Sequence, residues 1–290
     1  MTVLEFDFMQ RALIAALLVG VTAPAVGVFL VQRRLALMGD GIGHVALTGV
    51  ALGFLLGTAP VVTAVVAATV GAVVIELVRQ HGRTGGDVAL ALLFYGGIAG
   101  GVLLIGLAPG GSNANLLSYL FGSLTAVSPT DVVVICALSG ALLLTLAVVG
   151  RQMFAVCHDE EYAKVAGLPV RFHNLLLAVM AAVTVTVAMR VVGLLLVSAL
   201  MVVPVATAQQ LVRGFRATVV VALLAGVLAS TSGVVGSYYV DAAPGALIVV
   251  LALAGFALAT LAGTLVRRVR GTSAATASET VALLPREVHR

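Results

Sequence analysis

Charged side chains are scarce in this sequence. Asp, Glu, Lys and Arg together make up 10% of its 290 residues, whereas a soluble domain carries about a quarter. Apolar side chains reach 61%, and the mean hydropathy is +1.18. A soluble globule of this length cannot remove so much apolar side chain from water. These values exclude a soluble enzyme, a disordered chain and a free nucleic-acid-binding domain, and they indicate a polytopic membrane protein.

Cysteine and lysine are nearly absent. The two cysteines, Cys136 and Cys157, lack CxxC spacing, so the sequence predicts neither a disulfide nor a thiolate metal site. Lys164 is the one lysine and no GxxxxGK[ST] phosphate loop occurs, so the chain cannot hydrolyse ATP by that route. HExxH and GxSxG are also missing, which leaves a membrane protease or esterase without a visible catalytic set. We therefore expect a protein that is not an enzyme.

Nine apolar segments follow one another along the chain. Runs of this length favour an all-α bundle of spanning helices over barrel strands, which would alternate apolar and polar residues. The shortest, of about 16 residues, cross only with tilt adjustment or local thinning of the bilayer, so eight spans is the alternative count. A further segment, 109–129, is rich in Pro, Gly, Asn and Ser, and we expect a half-helix or surface helix there, on the outer side. The nine segments are 9–31, 42–57, 60–78, 88–108, 130–150, 174–189, 193–212, 217–237 and 245–266.

The net charge of +4 does not mark a nucleic-acid-binding face, because the basic residues form small groups between apolar segments. These groups follow alternate segments, as the positive-inside rule requires, and only Arg11 and Arg190 depart from the pattern. The pattern predicts an N-terminus outside and a C-terminus in the cytoplasm. We expect one transmembrane domain at 1–270 and a disordered cytoplasmic tail at 271–290, where small polar residues predominate.

Asp40 and His44 form the first candidate site, within the stretch RRLALMGDGIGH. If the chain is helical there, residues four apart project from one face with Cβ atoms about 5–6 Å apart. Ionisable groups at a span are costly and usually face a cavity or pathway. One carboxylate oxygen and one imidazole nitrogen suit Zn²⁺, Mn²⁺ or Fe²⁺, and a second subunit, backbone carbonyls or water would complete the shell. The alternative is an Asp that caps the second span, with a His packed one turn later.

The most polar interval before the tail forms the second candidate site. Asp159, Glu160 and Glu161 lie where the first turn of a helix favours acidic residues. Gly167 and Pro169 would end that helix. The pattern predicts a short cytoplasmic helix that a soluble partner could grip, and the alternative is an amphipathic loop helix on the membrane surface.

A third site is defined by interruptions of an apolar run. Gly193, Ser198 and Pro204 break the segment 193–212. Such breaks are tolerated where a membrane helix lines a cavity or packs on protein, which makes these residues candidates for a transport pathway. Ordinary proline kinking explains them equally well.

Several segments together resemble the metal-type ABC transporter permeases, the membrane subunits of importers for zinc, manganese and iron(II) or iron chelates. Their order and spacing match along nearly the whole chain, from Phe8 to Val266, and leave out the tail. The segments are FMQRALIAALLVGVTAPAVGVFLVQRRLALMGDGIGHVALTGVALG, LLSYLFGSLTAVSPTD, DEEYAKVAGLPV and GLLLVSALMVVPVATA.

The resemblance implies a homodimeric permease in the lipid bilayer of a bacterial cytoplasmic membrane. It implies that each copy docks a cytoplasmic ABC ATPase subunit through a coupling helix and receives its ion from an extracytoplasmic metal-binding protein. Asp40 and His44 match an Asp-x-x-x-His pair that coordinates metal in some members. The coupling helix corresponds to Asp159, Glu160, Glu161, Tyr162, Ala163 and Gly167.

The resulting prediction is a permease subunit of an ATP-driven importer that moves a divalent transition metal, zinc or manganese or iron, by alternating access. We expect no permanently bound cofactor, since the ion is the transported substrate. A secondary transporter driven by an ion gradient is the alternative from another class. It would carry several ionisable residues within its spans, whereas Glu76 and Asp131 lie at span ends. An ABC permease for a metal chelate or vitamin would differ only in substrate.

Overall fold

The computed structural model of the chain describes residues 6–80, 86–107, 119–125, 127–194 and 196–282. These residues form helices and turns and contain no strand, which confirms the predicted all-α fold. The helices are α1 (Asp7–Gln32), α2 (Met38–Leu56), α3 (Pro60–Gln80), α4 (Gly86–Leu107), α5 (Pro129–His158), α6 (Glu160–Val165), α7 (Val170–Ala188), α8 (Val197–Leu211), α9 (Phe215–Val240) and α10 (Pro244–Ala282).

Eight of these helices, α1 to α5, α7, α9 and α10, are long and apolar enough to cross a membrane. The remaining predicted span, 193–212, forms only the 15-residue helix α8. Fifteen residues rise about 22 Å, which is less than the ~30 Å apolar core of a bilayer. Over the part of the chain that the structure describes, eight helices are therefore long enough to cross on their own, and the ninth predicted segment would cross only together with the chain before α8.

The interior of the bundle is made by α1, α2 and α7. In their most apolar stretches 72%, 61% and 67% of residues are buried, compared with 17% in α4 and α5. Close approach to α2 depends on glycine. A Cβ at Gly97 of α4 would lie 2.6 Å from the carbonyl carbon of His44, and one at Gly49 of α2 would lie 2.7 Å from Ala64 Cα of α3. Small residues at these positions let the helix backbones approach closely. Such packing holds helices together in a membrane, because lipid is as apolar as the helix surface and no hydrophobic effect drives their association.

The helix α5 begins at a capping box. The Ser128 hydroxyl accepts a hydrogen bond from the Asp131 amide at 3.1 Å, and the Asp131 carboxylate accepts one from the Ser128 amide at 2.9 Å. Pro129 occupies the first turn, where its missing N–H costs nothing. Of the predicted half-helix at 109–129, residues 109–118 and 126 lie outside the described residues, and 119–121 are helical.

A second polar contact joins the start of α5 to the end of α7. The Arg190 guanidinium donates to the Asp131 carboxylate at 2.6 Å and to the Tyr119 hydroxyl at 3.2 Å. Gly193 follows with a φ of +87°, and a Cβ there would lie 2.4 Å from the Leu120 carbonyl oxygen. Because only glycine accepts both constraints, the chain after α7 packs directly on the 119–122 segment before it enters α8.

The last helix, α10, continues to Ala282 and thus through the first part of the predicted tail. Residues 283–290 lie outside the described residues. The division into a domain at 1–270 and a disordered tail at 271–290 stays a prediction, as does the orientation of the bundle in the membrane.

Candidate functional site

Asp40 and His44 both lie in the continuous helix α2, one turn apart. Because the helix runs from Met38 to Leu56 without interruption, the two side chains share a face, as their spacing predicts. The glycines between them do not break the helix. They allow neighbours to approach instead, since a Cβ at Gly41 would lie 3.0 Å from Leu90 Cδ1 of α4.

The Asp40 carboxylate accepts a hydrogen bond from the Ser198 hydroxyl. Ser198 is the second residue of α8 and is 8% exposed. Gly39 makes this contact feasible, because a Cβ at that position would lie 3.2 Å from Ser198 Cβ. The structure thus brings together a predicted metal ligand and one of the three predicted pathway residues.

His44 is 9% exposed, and its Nδ1 is buried without a hydrogen-bond partner among the described residues. Its ring meets the Phe94 ring edge to face, with centroids 4.3 Å apart. An unpaired buried nitrogen is costly. A nitrogen in this state is available to a ligand that enters the site, so the geometry suits a metal-binding histidine better than a core histidine with satisfied hydrogen bonds.

The non-helical chain before α8 also reaches α2. A Cβ at Gly43 would lie 3.5 Å from the Leu194 carbonyl oxygen, so this carbonyl faces α2 between the levels of Asp40 and His44. The described residues contain no group of three or more His, Cys, Asp or Glu side chains that could hold a metal ion. The described part of one copy therefore offers a carboxylate and an imidazole, which is an incomplete shell, and the Leu194 carbonyl lies against the same stretch of α2.

Gly193 and Pro204, the other two predicted pathway residues, have different neighbours from Ser198. Gly193 packs against the 119–122 segment. Pro204 is buried within α8, in a pocket shared with α9 and α10. Their part in a pathway stays a prediction, and the break at Gly193 matters here because it sets where α8 begins.

The predicted short cytoplasmic helix is present as α6. Asp159 caps it by accepting a hydrogen bond from the Tyr162 amide at 2.9 Å, and Gly167, with a φ of +79°, follows its end. Ala163 is fully buried against Val156 and Val170, at the adjoining ends of α5 and α7. The opposite face presents Tyr162 and Val165, which are 68% and 87% exposed, and Glu161, which is also exposed.

Charged contacts fasten α6 to the bundle. Arg33, just after α1, donates to the Glu160 carboxylate and to the Asn174 side chain of α7. Lys164 forms a second ion pair with Glu160, at 3.0 Å. Partial burial alone would raise the pKa of Glu160, but the hydrogen bond from Lys164 and the charge of Arg33 outweigh it and hold that pKa below its usual value. Glu160 is therefore ionised and paired at neutral pH.

Two further carboxylates, one buried and one partly buried, are each paired with an arginine. Glu76 of α3 is 1% exposed and pairs with Arg79 at 2.8 Å, and Asp131 pairs with Arg190. Asp40 differs, because its hydrogen bond comes from a neutral hydroxyl. Both ion pairs were missed at the sequence level, although the i,i+3 spacing of Glu76 and Arg79 was a visible signal.

Comparison with known proteins gives a consistent class. The chain is 35% identical over 257 residues to the manganese transport system membrane protein MntC of Halalkalibacterium halodurans, covering 88% of this chain and 87% of the relative. It is 36% identical over 242 residues to a probable metal transport system membrane protein of Treponema pallidum, covering 83% and 90%. It is 32% identical over 254 residues to the chelated iron transport system membrane protein YfeD of Yersinia pestis, covering 88% and 85%. These relatives are membrane proteins of metal transport.

Solved structures agree. The chain superposes on a chain of PsaBC from Streptococcus pneumoniae, solved in complex with Fab, with a TM-score of 0.80 and 34% identity over 88% of this chain and 92% of that one. An inward-facing conformation of a putative metal-chelate type ABC transporter has a TM-score of 0.67 at 17% identity, over 89% and 85%, and shares the fold. The fold and the relatives define a multi-pass ABC permease for metal transport. Residues 5–263 match the model of the ABC 3 transport family, and the chain belongs to that family.

Proposed function

We propose that this chain is the membrane subunit of an ATP-driven importer of Mn²⁺, and that Asp40 and His44 bind the ion in transit. The observation that carries the proposal is the buried, unpaired Nδ1 of His44 one turn from the Asp40 carboxylate. Three relatives named for manganese transport, at 31–35% identity, support the choice of metal.

The donor set also favours this metal. A carboxylate oxygen, a peptide carbonyl and water suit Mn²⁺, whereas the closed tetrahedral zinc sites of proteins are rich in Cys and His. The Leu194 carbonyl would add an oxygen to the Asp40 oxygen and the His44 nitrogen. Water or a second copy of the chain completes the shell. A weak, incomplete site is compatible with transport because the ion must also leave.

The energy source is a cytoplasmic ABC ATPase subunit that docks on the exposed face of α6. Tyr162 and Val165 give that face an apolar contact surface. A force applied to α6 by the ATPase reaches the site through a chain of contacts between helices. Arg33 joins α6 to the end of α1, and Gly27 of α1 packs on Met201 of α8, with 1.9 Å between a Cβ built there and the Met201 carbonyl oxygen. The start of α8 holds Asp40 through Ser198.

The remaining partners follow from the same proposal. Two copies of the chain form the permease in a bacterial cytoplasmic membrane, with α6 on the cytoplasmic side, the N-terminus outside and the C-terminus inside. An extracytoplasmic metal-binding protein delivers the ion to the opposite end, where Arg190 and Asp131 lie. No resident cofactor is involved.

The test is uptake of radioactive manganese by cells that lack the chain and carry one variant each. Asp40→Asn and His44→Gln should each lower uptake at least ten-fold, because each removes one of only two side-chain ligands (about 1.4 kcal/mol per ten-fold). Asp7→Asn is the matched control, since Asp7 is an exposed carboxylate in the first turn of α1 and should leave uptake unchanged.

Membrane abundance and dimer content of each variant are measured in parallel, so that loss of folding is separated from loss of transport. Excess Zn²⁺ or Fe²⁺ is added in separate assays, and the degree to which each inhibits manganese uptake shows which metal the site prefers. If the Asp40→Asn and His44→Gln variants assemble correctly and take up manganese at the wild-type rate, the assigned site is wrong.

A metal chelate is the second candidate substrate, because YfeD of Yersinia pestis is named for chelated iron. A chelate carries its own ligands and would need neither Asp40 nor His44. Uptake that survives both substitutions and requires an added chelator would favour this alternative.

A further inference from the structure

A groove of about 860 Å³ runs between α1, α5 and α9. Its walls are mostly apolar and include Phe29, Leu146, Phe154 and Leu223. Neighbouring apolar side chains on α5 and α9, at Leu144, Val148 and Leu224, are 58–72% exposed and continue the wall along the surface. The volume falls in the range of ligand pockets, about 300–1,000 Å³.

One end of this groove is strongly basic. Arg151 of α5 and Arg213 and Arg216 at the start of α9 line it, and all three side chains are exposed. In the described part of the chain, no carboxylate lies within 4.0 Å of any of these guanidiniums, whereas Arg33, Arg79 and Arg190 are each paired. The basic end therefore has three positive charges without a counter-ion among the described residues.

The first turn of α9 adds a further positive feature. The helix is 26 residues long and begins after Gly214, which has no side chain to cap it and a φ of +95°. No acidic residue lies in its first turn. The N–H groups at the start of such a helix favour an anion, and here they lie between Arg213 and Arg216.

The basic end lies at the same end of the bundle as α6. Phe154, one turn before the end of α5, contacts Phe215 at the start of α9, with ring centroids 4.4 Å apart. Under the positive-inside rule this is the cytoplasmic leaflet, which is rich in anionic lipid. The apolar wall then extends from the headgroup level towards the bilayer core.

We propose that this groove binds an anionic phospholipid of the cytoplasmic leaflet. The phosphate lies among Arg151, Arg213, Arg216 and the first turn of α9, and an acyl chain lies along the wall formed by Leu146, Phe154 and Leu223. An anionic phospholipid matches both the basic end and the apolar wall of the groove. Inorganic phosphate would match only the basic end, and a neutral lipid only the apolar wall.

Two other occupants fit less well. Two copies of the chain share an orientation in the membrane, so a two-fold contact across this groove would bring the three unpaired arginines of each copy to the same level. A soluble ATPase subunit could reach the arginines but not the apolar wall within the bilayer. The proposal does not depend on the identity of the transported metal.

The test is native mass spectrometry of the purified full chain with added dioleoyl phosphatidylglycerol or, for comparison, dioleoyl phosphatidylcholine. Each guanidinium near the lipid surface contributes roughly a five-fold change in affinity, so Arg213→Gln/Arg216→Gln should bind phosphatidylglycerol roughly 30-fold more weakly. Arg171→Gln is the control for charge, because Arg171 is an exposed arginine at the start of α7 that does not line the groove.

A second pair of variants tests the apolar wall. Gly150 lines the groove and Gly140 does not, both lie on α5, and a Cβ at either position meets nothing within 4 Å. Gly150→Leu should fill the groove and lower phosphatidylglycerol binding, while Gly140→Leu should leave it unchanged. Glycerol phosphate added in excess should not displace the lipid.

Three results would overturn the proposal. Equal binding of phosphatidylglycerol by wild type, Arg213→Gln/Arg216→Gln and Gly150→Leu would show that the groove holds no lipid. A loss of dimer without a loss of lipid would assign the groove to a second copy. Weaker capture of an ATPase subunit by the arginine variant, with unchanged lipid binding, would assign the basic end to that partner.

Discussion

Ser198 bonds the Asp40 carboxylate from a position 158 residues further along the chain. This contact orients one carboxylate oxygen and leaves the other for a ligand. It also couples the start of α8 to α2, so that movement of α8 changes the environment of Asp40. At the scale of single residues, Ser198 is therefore a positioning residue for the proposed metal site.

Replacing Ser198 with alanine removes the donor but not the carboxylate. A hydrogen bond to a charged group contributes about 1.5–3 kcal/mol, so Ser198→Ala should raise the half-saturating Mn²⁺ concentration roughly ten-fold or more, with the maximal uptake rate retained. Ser198→Thr should restore the affinity. Ser232→Ala is the control, because the Ser232 hydroxyl bonds only to backbone carbonyls of its own helix. If Ser198→Ala has the same half-saturating Mn²⁺ concentration as the wild type, Ser198 does not position Asp40 for metal binding.

The residues show where sequence reasoning succeeds. The spacing of Asp40 and His44 implies a shared helix face once α2 is helical, because helix geometry is local. The contact between Asp40 and Ser198 depends on where α8 begins, and that start is set by Gly193 and its packing on the 119–122 segment. Arg190, an exception to the charge pattern, is explained by its pair with Asp131. Such pairings depend on tertiary structure, which spacing does not encode.

At the scale of elements, α6 is the part of the chain best suited to dock the ATPase subunit. It is six residues long, buried on one side at Ala163 and exposed on the other at Tyr162 and Val165. Its predicted bounds agree closely with the structure, since the signals are an acidic first turn and a following glycine. Its attachment to α1 through Arg33 was not foreseen, because that pair joins residues 127 positions apart.

The pair between Arg33 and Glu160 gives α6 a pH dependence. The pKa of Glu160 is lower in the folded protein than its ordinary value, so its contribution to stability is complete above that value, about 4.3. The contribution is lost as the pH falls through the folded pKa. The melting temperature of the purified chain should therefore fall as the pH drops below this value. The fall should be smaller for Glu160→Gln.

Glu161→Gln is the matched control for this prediction. Glu161 lies next to Glu160, is exposed and forms no ion pair within the described residues. Its substitution should leave the acid-induced loss of stability as in the wild type. An identical pH profile for Glu160→Gln and wild type would show that the pair with Arg33 does not stabilise the docking of α6.

At the scale of the whole molecule, the bundle combines a buried helical interior with non-helical residues at 189–194. Helices α1, α2 and α7 form the interior, and among the described residues before α8, 189–194 and 196 are non-helical. Composition and run length predicted the all-α membrane fold because both reflect the cost of placing backbone and charge in lipid. They did not separate eight full-length spans from nine, since apolar content is the same in a short helix and in a full span.

The central claim is that ion movement through this bundle requires an ATPase docked on α6. Manganese uptake into vesicles that contain the purified chain, with and without its ATPase partner and ATP, tests it most directly. We expect uptake only when the chain, the ATPase and ATP are all present, and none from the chain alone. Uptake at the full rate by the chain alone, driven by an ion gradient, would contradict the account.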